Sequence, residues 1–334
     1  MDKKVSIIIP VKNEEKYIGK CLESMLKQDF TKSQMEIIVV DGMSSDSSKK
    51  VVKSYINSYP DTDLDILDNK KEIVPAAMNL GIREAKGDYI IRIDAHSRYE
   101  DDYISKCVEY LDNKPEVWNV GGPMRAISDS FLGKAISFIH HCPFGLGGGK
   151  FHNSEFEGYV DTVYLGAFRR EVFDEVGLYN EKLVRNQDIE LNSRIRNAGG
   201  KIYLTPEIKS YYYNRDTVSG FIKQNFRNGL WNIITTKINS NALSLRHFIP
   251  LIFVLSIILG GELFFVPNFS LIGKIIFLGV LSSYFLVAFY FSLAILKEKG
   301  LKYFIITPFL FFMLHFSYGL GSIFGLLKCF LSSN

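Results

Sequence analysis

The stretch Gly87-Asp88-Tyr89-Ile90-Ile91-Arg92-Ile93-Asp94-Ala95-His96 decides the fold class. Its β-branched run, Tyr89–Asp94, predicts a buried strand that ends abruptly in polar residues. Ligands of α/β proteins bind outside the carboxyl ends of the strands. Side chains two positions apart on an extended chain point the same way, so we expect Asp94 and His96 to hold one divalent cation, Mn²⁺ or Mg²⁺. Such a cation would in turn hold a diphosphate.

Outward from this stretch, short apolar runs alternate with amphipathic segments. Strand–helix alternation at this spacing predicts an α/β fold with a mostly parallel sheet flanked by helices. The expected strands are Val5–Pro10, Met35–Asp41, Leu64–Leu67 and Tyr89–Asp94, with helices near Glu14–Gln28, Ser47–Asn57 and Pro75–Ala85. A second portion of the same kind covers Glu171–Val176, Asp188–Ala198 and Lys201–Leu204. Between the two, the glycine-rich stretch Pro123–Val160 lacks clear periodicity, and we expect an irregular, mobile segment near the site.

The composition and the net charge limit the kinds of function that we expect of this chain. The 334 residues carry a formal net charge of only +3, and no basic stripe interleaved with aromatics occurs, so nucleic acid is not an expected partner. The four cysteines form no CxxC pair, which favours reduced thiols in a cytosolic setting. The first residues lead directly into a predicted strand, so we expect no signal peptide and a cytoplasmic location for the first 240 residues.

The C-terminal third has the composition of a membrane domain. Three apolar stretches, Phe248–Val266, Ile275–Leu296 and Phe304–Phe330, are each long enough to cross a hydrocarbon core of about 30 Å. The basic loop Lys297–Lys302 falls on the cytoplasmic side, as the positive-inside rule prefers. Re-entrant or interface-lying helices remain an alternative around Pro308 and Gly319. We therefore expect a cytosolic domain over residues 1–215, an interface helix and linker over 216–245, and a multi-pass membrane domain over 246–334.

The segment Thr217–Lys237, just before these stretches, mixes apolar and basic residues. This pattern is typical of a helix that lies at a membrane surface, where Trp231 would suit the headgroup layer. An ordinary amphipathic helix packed on the soluble domain has the same pattern, so both interpretations stay open.

Polar residues also follow the first two predicted strands. Pro10 ends the first strand, and Asn13 and Glu14 could meet a ligand at the sheet edge, although helix capping by Asn13 explains the same residues. Asp41 ends the second strand, where its carboxylate can accept a hydrogen bond from a base or ribose. Asp46 has the setting of a turn and helix cap, so we interpret it as scaffold.

Taken in order, these motifs resemble the family 2 glycosyltransferases over roughly the first 230 residues. The matching series is Ile8-Ile9-Pro10-Val11-Lys12-Asn13-Glu14, Val40-Asp41-Gly42-Met43-Ser44-Ser45-Asp46, Asn79-Leu80-Gly81-Ile82, Ala85-Lys86-Gly87-Asp88 and Asp94-Ala95-His96. The resemblance implies a GT-A fold and transfer of a sugar from a nucleotide diphosphate with inversion. It implies that Asp41 contacts the nucleobase, that Asn79 lies on the donor side and that Asp94 binds metal and diphosphate. His96 replaces the second Asp of the common Asp-x-Asp motif, and Asp-Ala-His is the usual spelling in the succinoglycan-type exopolysaccharide branch.

The same resemblance implies the general base. Inverting transfer needs a carboxylate that takes the proton of the acceptor hydroxyl. The family places it in an acidic pair at the start of a helix, and Gln187-Asp188 matches that position, so Asp188 is the expected base. Glu190 is the lesser candidate for the base. The alternative to both is that Asp188 only caps the helix and that Glu190 pairs with Arg194 four residues on, and we favour this structural role for Glu190.

Four further positions resemble acceptor-side or diphosphate-side elements. Gln224, Arg227 and Trp231 imperfectly match the Gln-x-x-Arg-Trp motif of processive synthases, with Asn228 at the Trp position. Arginine suits phosphate oxygens, but a surface helix whose Arg227 contacts lipid is an equal alternative. Asp161 resembles an acceptor-side residue. The histidines His140, His141 and His152 lack recognisable metal-ligand spacing, and we expect structural roles for them.

Together these features predict a metal-dependent, inverting glycosyltransferase at the plasma membrane with a cytoplasmic catalytic domain. The expected donor is a nucleotide diphosphate sugar, with uridine as the nucleoside. The expected acceptor is a hydroxyl of a saccharide carried on polyprenyl diphosphate, as in exopolysaccharide or other cell-surface glycan synthesis. Three alternatives stay open: a polyprenyl-phosphate sugar synthase, a processive polysaccharide synthase and a non-catalytic nucleotide-sugar-binding scaffold.

Overall fold

The structure is a computed structural model that describes residues 4–146, 149–150 and 153–331. Its contacts divide the chain into two compact units. The first unit runs to Ala126 and includes Lys150–Tyr213. The second comprises Ile127–Gly149 and the residues from Asn214 onward.

The first unit is built on a mixed eight-stranded sheet. The strands of the chain are β1 (Val5–Val11), β2 (Met35–Asp41), β3 (Leu64–Asp68), β4 (Tyr89–Arg92), β5 (Ser97–Tyr99), β6 (Val117–Gly121), β7 (Arg125–Ile127), β8 (Gly158–Tyr159), β9 (Gly166–Arg169), β10 (Lys201–Leu204) and β11 (Ser210–Tyr213). The large sheet has the order β3-β2-β1-β4-β9-β6-β10-β8, and β5, β11 and β7 form a small second sheet. β1 pairs in parallel with β2 and β4, whereas β9 runs antiparallel between β4 and β6. The α/β fold class is therefore confirmed.

Helices cover both faces of this sheet, which explains why its central strands read as unbroken apolar runs. They are α1 (Ile18–Leu26), α2 (Ser48–Ser58), α3 (Val74–Glu84), α4 (Tyr103–Asn113), α6 (Glu171–Val176) and α7 (Gln187–Asn197). One core cluster joins Ile7 and Ile9 to α1 and α4, and the other joins Ile8 to α3 and α7. α3 lies close against β1 because Gly81 has no Cβ, which would come within 2.6 Å of the Ile8 side chain.

The second unit is helical. It contains α5 (Phe131–His141), α8 (Val218–Ile238), α9 (Ile249–Phe264), α10 (Ser270–Lys299) and α11 (Leu301–Leu331). Three helical stretches, Leu245–Phe264, Pro267–Lys299 and Leu301–Leu331, are long and apolar enough to cross a membrane. They correspond to the three apolar stretches of the sequence.

The expectation of an irregular segment over Pro123–Val160 is wrong for its central part, which forms α5. The hydroxyl of Ser130 caps this helix by accepting a hydrogen bond from the Gly133 amide at 3.0 Å. Ala135, Ile136 and Ile139 share one face and pack with residues of α8 and α11. The signal was present as a capping serine before apolar residues at helical spacing, but the glycines that follow obscured it.

Helix α8 packs lengthwise on α11. A Cβ at Gly229 would overlap the carbonyl oxygen of Tyr318, and a Cβ at Gly321 would overlap that of Phe226. The side chains of Asn232 and Tyr318 are hydrogen-bonded across the same contact. Neither interpretation of Thr217–Lys237 included packing on α11, because the glycines that permit this contact, Gly229 and Gly321, are almost 100 positions apart in the sequence.

Candidate active site

The loops that follow β1 and β2 are locked together. The Asn13 side-chain oxygen accepts a hydrogen bond from the Ser45 amide at 2.8 Å, and the Asn13 amide donates to Ser44 Oγ at 2.9 Å. Asn13 has a left-handed φ of 57°, which asparagine tolerates better than most residues. α1 begins only at Ile18, so the helix-capping interpretation of Asn13 is wrong. Pro10 lies one residue before the end of β1, and these contacts fix the chain that follows it.

Asp41 presents a buried carboxylate at the end of β2. It is 1% exposed, and its Oδ2 accepts a hydrogen bond from the Ser44 amide at 3.1 Å. Its Oδ1 has no partner among the described residues. A buried acceptor without a partner is costly, so this oxygen is suited to a donor group of a ligand.

Asp46 acts as scaffold, as expected. Its carboxylate accepts hydrogen bonds from the backbone and hydroxyl of Ser48 and from the Glu15 amide. Desolvation would raise the pKa of Asp46, but these hydrogen bonds outweigh it and hold the pKa below its ordinary value. Asp46 therefore ties the loop after β1 to the start of α2.

The end of β4 gathers charged side chains. Arg92, the last residue of β4, donates from Nη2 to Asp94 Oδ1 at 3.2 Å. The Asp94 amide is hydrogen-bonded to the Tyr99 hydroxyl at 2.8 Å, which fixes the backbone at this position. His96 Nδ1 lies 3.4 Å from Glu14 Oε1, so the loop after β1 and the loop after β4 meet here.

These residues fit a cation that is held mainly by a substrate. No group of three His, Cys, Asp or Glu side chains able to hold a metal occurs within residues 4–146, 149–150 and 153–331. Mg²⁺ and similar ions commonly take one or two protein ligands and complete their shell with phosphate oxygens and water. Asp94 and His96, with Glu14 beside His96, supply such a partial set, and all three are partly exposed.

Asp188 belongs to the same electrostatic cluster as Asp94. It lies in the first turn of α7, which follows Asn186 in a left-handed conformation. Burial alone would lower the pKa of Arg92, but Asp94, Tyr179 and Asp188 raise it above its ordinary value. Burial raises the pKa of Tyr179 to about 12, with Arg92 opposing the rise and Asp188 adding to it. Both carboxylates therefore raise the pKa of Arg92, and Asp94 also accepts a hydrogen bond from it.

Glu190, two residues later, has a different role. Arg194 donates to both of its carboxylate oxygens, with Nε–Oε1 and Nη2–Oε2 distances of 2.9 Å. Arg194 also donates to the carbonyl oxygens of Val176, Gly177 and Leu178. The predicted pairing of Glu190 with Arg194 is confirmed, and it fastens α7 to the segment before Tyr179.

The remaining predicted residues of the first unit lie at several places. Asn79 is buried on α3, where its amide group accepts from the Tyr179 amide and donates to the Tyr179 carbonyl and Glu181. Gln187 is buried, and its Oε1 has no partner within the described residues. Asp161 is exposed, and its carbonyl oxygen accepts from Arg196. Their donor-side and acceptor-side roles stay predictions.

Gln224, Arg227 and Trp231 lie on α8 of the second unit. Gln224 Oε1 is buried without a partner in the described part of the chain, whereas Arg227 is exposed. Of the histidines, His140 is buried, and His141 Nδ1 lies 2.8 Å from the Ser137 carbonyl oxygen. His152 lies outside the described residues.

Arg92 and Tyr179 are the members of the cluster that sequence reasoning missed. Arg92 carried a signal, because it is a charged residue in an otherwise apolar strand that is predicted to be buried. Tyr179 carried none, since one tyrosine in a loop is not distinctive.

Comparison with known proteins supplies the family. The model of "Glycosyl transferase family 2" matches residues 6–177. The chain belongs to glycosyltransferase family 2. It is accordingly an enzyme, a glycosyltransferase with the GT-A fold, as the motif series predicted.

Relatives of this glycosyltransferase have recorded activities. It is 34% identical over 268 residues to the dolichyl N-acetyl-alpha-D-glucosaminyl phosphate 3-beta-D-2,3-diacetamido-2,3-dideoxy-beta-D-glucuronosyltransferase of Methanococcus voltae, covering 78% of this chain and 83% of the relative. It is 32% identical over 212 residues to the succinoglycan biosynthesis protein ExoA of Rhizobium meliloti, covering 63% of each chain.

Solved structures share the fold at low identity. The mannosyltransferase PcManGT of Pyrobaculum calidifontis, in complex with GDP-Man and Mn²⁺, superposes with a TM-score of 0.59 at 17% identity, over 98% of this chain and 88% of that one. Residues 1–349 of Staphylococcus aureus TarS, in complex with UDP-GlcNAc, give a TM-score of 0.51 at 16% identity, over 97% and 92%.

Proposed function

We propose that this glycosyltransferase transfers a sugar, with inversion, from a nucleotide diphosphate sugar to a hydroxyl of a lipid-linked saccharide at a membrane. The observation that carries the proposal is the group of charged side chains at the end of β4, where Arg92 donates a hydrogen bond to Asp94 at 3.2 Å and His96 lies 3.4 Å from Glu14. Asp188, the carboxylate expected on the acceptor side, adds to the charges that raise the pKa of Arg92, which supports its placement near Asp94. Inverting transfer needs such proximity, because the acceptor attacks the carbon from which the diphosphate departs.

On the donor side, the Oδ1 of Asp41, which has no partner among the described residues, would accept a hydrogen bond from the base or ribose. Asn13 and Glu14 would orient the nucleotide from the locked loop after β1. Both solved structures cited above hold a nucleotide diphosphate sugar, with guanosine in one and uridine in the other. We favour a uridine diphosphate sugar.

Asp94 and His96 would hold a divalent cation on the diphosphate, and the Mn²⁺ complex of the mannosyltransferase supports this assignment. When bound, the cation neutralises charge that develops on the departing diphosphate. Asp188 would accept the proton of the attacking hydroxyl. Gln187 and Asp161, with Gln224, Arg227 and Trp231 of α8, are the proposed acceptor-side and diphosphate-side residues.

The acceptor proposal rests on two independent supports. The archaeal relative is named for a dolichyl-linked N-acetylglucosaminyl phosphate, and the bacterial one for succinoglycan biosynthesis. Three helices of this chain are long and apolar enough to cross a membrane. A membrane-bound enzyme and a lipid-linked acceptor share one surface, which raises their effective concentration. We propose a multi-pass plasma-membrane protein with its catalytic residues, 1–215, on the cytoplasmic side together with Lys297–Lys302, an interface segment over 216–245 and a membrane domain over 246–334.

The test is an assay of the full chain in detergent with a membrane lipid extract. A panel of nucleotide diphosphate sugars is offered with Mn²⁺, with Mg²⁺ and with a chelator. We expect transfer from one donor to the lipid fraction, loss with chelator and loss in Asp94→Ala. Asp65→Ala is the matched control, because Asp65 is exposed on β3 and its carboxylate accepts a hydrogen bond from the neighbouring Ile66 amide. Absence of transfer from every donor, or full activity of Asp94→Ala, would overturn the proposal.

A further inference from the structure

We propose that the Thr162 hydroxyl binds an oxygen of the acceptor saccharide and that the buried side chain of Asn192 positions it, an inference that rests on the proposed function. Thr162 lies in the segment between β8 and β9, next to Asp161. Its ligand would be a neutral oxygen, such as that of a sugar hydroxyl, because a threonine hydroxyl carries no charge. Thr162 would thus contribute to the choice of acceptor.

A chain of three side chains fixes the Thr162 hydroxyl from the interior of the first unit. Asn119 on β6 is fully buried, and its Nδ2 donates to Asn192 Oδ1 at 2.8 Å. Asn192 on α7 is 2% exposed, and its own Nδ2 donates to Thr162 Oγ1 at 2.8 Å. Hydrogen bonds in a protein interior are stronger than those in water, so this chain holds Thr162 Oγ1 in one place.

The Thr162 hydroxyl still has a proton to donate. A threonine hydroxyl has one proton and two acceptor positions, and the Asn192 amide group occupies one of the acceptor positions. The described residues provide no acceptor for the proton. Thr162 is partly exposed, so the residue is accessible to a ligand. A saccharide oxygen is an acceptor of the kind that this proton requires.

Helix α7 places Thr162 near the expected base. Residues four apart lie on one face of a helix, so Asp188, Asn192 and Arg196 form a row along α7. Asn192 binds Thr162, and Arg196 donates to the Asp161 carbonyl oxygen, so the segment with Thr162 follows this row. A rise of 1.5 Å per residue puts Asp188 about 6 Å from Asn192 along the helix axis. A single acceptor saccharide is large enough to contact both Asp188 and Thr162.

The same segment also reaches the loop after β4. The hydroxyl of Tyr164, two residues after Thr162, lies 3.1 Å from Ser97 Oγ. Ser97 follows His96, one of the two expected cation ligands. The segment therefore connects the helix of the expected base to the loop of the expected cation ligands. Because the acceptor attacks the carbon from which the diphosphate departs, the acceptor must lie between these two elements.

The experiment compares apparent KM values of variants of the full chain. The membrane lipid extract is titrated as the acceptor at saturating donor, the donor is titrated at saturating extract, and the midpoint of thermal unfolding, Tm, is measured. Thr162→Val replaces the hydroxyl by a methyl group, and Thr162→Ser retains it. Asn192→Leu is made alone and together with Thr162→Val. Ser193→Ala is the matched control, because Ser193 is buried on α7 and its hydroxyl has no partner among the described residues.

We expect Thr162→Val to raise the KM for the extract by about threefold to tenfold, the effect of one lost hydrogen bond. The KM for the donor should not change, and Thr162→Ser should keep a KM for the extract close to that of the unmodified chain. Asn192→Leu should also raise the KM for the extract, and it should lower Tm because Asn119 Nδ2 is left without its acceptor. Added to Thr162→Val, it should raise the KM for the extract no further, since the two residues act as a unit.

An unchanged KM for the extract in Thr162→Val, or an equal rise in Ser193→Ala, would overturn the binding role of Thr162. An equal rise in the KM for the donor would show general damage to the unit and would overturn it too. A further rise when Asn192→Leu is added to Thr162→Val would overturn the positioning role of Asn192. Absence of transfer by the unmodified chain is a separate outcome, because it overturns the proposed function and this inference with it.

Discussion

Asp188 and Glu190 show how two similar side chains acquire different chemistry from their surroundings. Glu190 is buried, and both of its oxygens are engaged by Arg194. Asp188 is partly exposed in the first turn of α7, where its Oδ1 accepts from the Ile189 amide. A general base must reach the acceptor, so Asp188 suits catalysis and Glu190 suits structure.

The pair of variants Asp188→Asn and Glu190→Gln tests this division. We expect Asp188→Asn to lower transfer by about a hundredfold or more, because general-base catalysis typically contributes 10²–10⁴, with little change in Tm. Glu190→Gln should lower Tm, because it removes one partner of a buried ion pair, and should retain most of kcat. Rates are measured with saturating donor and Tm by thermal unfolding. If Asp188→Asn kept most activity, the acceptor would be an already ionised group such as a lipid phosphate.

A second prediction about a single residue concerns Asp41. Asp41→Asn should weaken binding of uridine diphosphate by about tenfold to a hundredfold, because hydrogen bonds to charged groups contribute roughly 1.5–3 kcal/mol. Calorimetric titration with the nucleotide alone measures this without turnover. Asp65→Asn, on the exposed side of β3, is the control and should bind as the unmodified chain does. Equal affinity of Asp41→Asn would remove Asp41 from the nucleotide site.

Part of the candidate site could be predicted from sequence because its signals are local. Asp41 ends β2, Asp94 follows β4 and Asp188 lies in the first turn of α7. The order of the motifs along the chain identifies such positions. The influence of Asp188 on the pKa of Arg92 could not be predicted, because the two residues are 96 positions apart in the sequence. The contact of Glu14 with His96 depends in the same way on two loops meeting at the sheet edge.

At the scale of elements, the contact of α8 with α11 depends on glycines. Both Gly229 and Gly321 let one backbone approach the carbonyl oxygens of the other helix. Small residues permit such close helix packing in membrane proteins. α8 is therefore a structural partner of α11 along much of its length.

Gly229→Ala should lower the Tm of the full chain in detergent, because the added Cβ must push the two backbones apart. Gly279→Ala on α10 is the matched control, since no atom of the described residues lies within 4 Å of a Cβ there. It should keep or raise Tm, because alanine is favoured over glycine in helices by up to about 1 kcal/mol. Equal melting of the two variants would show that α8 and α11 do not pack closely.

Helix α5 carries a buried histidine with a pH consequence. His140 is 2% exposed, and both ring nitrogens lack a partner among the described residues. Burial lowers the pKa of His140 from 6.5 to about 4, with the neighbouring His141 adding to the effect. Below pH 6.5 the unfolded chain takes up a proton that the folded chain refuses, so stability is lost as pH falls from 6.5 to 4.

His140→Met removes this proton uptake and the two unsatisfied nitrogens. We expect its Tm to fall less than that of the unmodified chain between pH 7 and pH 4.5, and to be at least as high at pH 7. Unfolding followed by intrinsic fluorescence at several pH values measures both. Parallel Tm curves for the two proteins would mean that His140 is not held neutral in the folded state.

The elements differ in how well sequence predicts them, for a physical reason. β1, β2 and β4 are covered on both faces, so their apolar runs are unbroken and easily recognised. β9 has only four residues, Gly166–Arg169, and its position in the sheet depends on its pairing with β4 and β6. α5 is stabilised by apolar partners on α8 and α11, which a local pattern does not contain.

At the scale of the whole molecule, the chain joins an α/β enzyme unit to a helical unit with apolar surface. Large apolar side chains along α9 and α10, such as Ile252, Leu271, Leu286 and Tyr290, are more than half exposed. Exposed apolar area of this extent on a soluble protein would promote aggregation, whereas a bilayer covers it. The proposed lipid-linked acceptor then diffuses in the same plane as the enzyme.

This arrangement predicts surface-dilution kinetics. With the enzyme in vesicles and the lipid-linked acceptor at a fixed bulk concentration, adding inert lipid lowers the acceptor's mole fraction in the bilayer. We expect the transfer rate to fall in proportion to that mole fraction, because encounters occur within the surface. A water-soluble acceptor analogue with a short chain is the control, and its rate should not respond to inert lipid. A rate that follows bulk acceptor concentration for both compounds would place the acceptor in solution and would leave the membrane helices with anchoring alone.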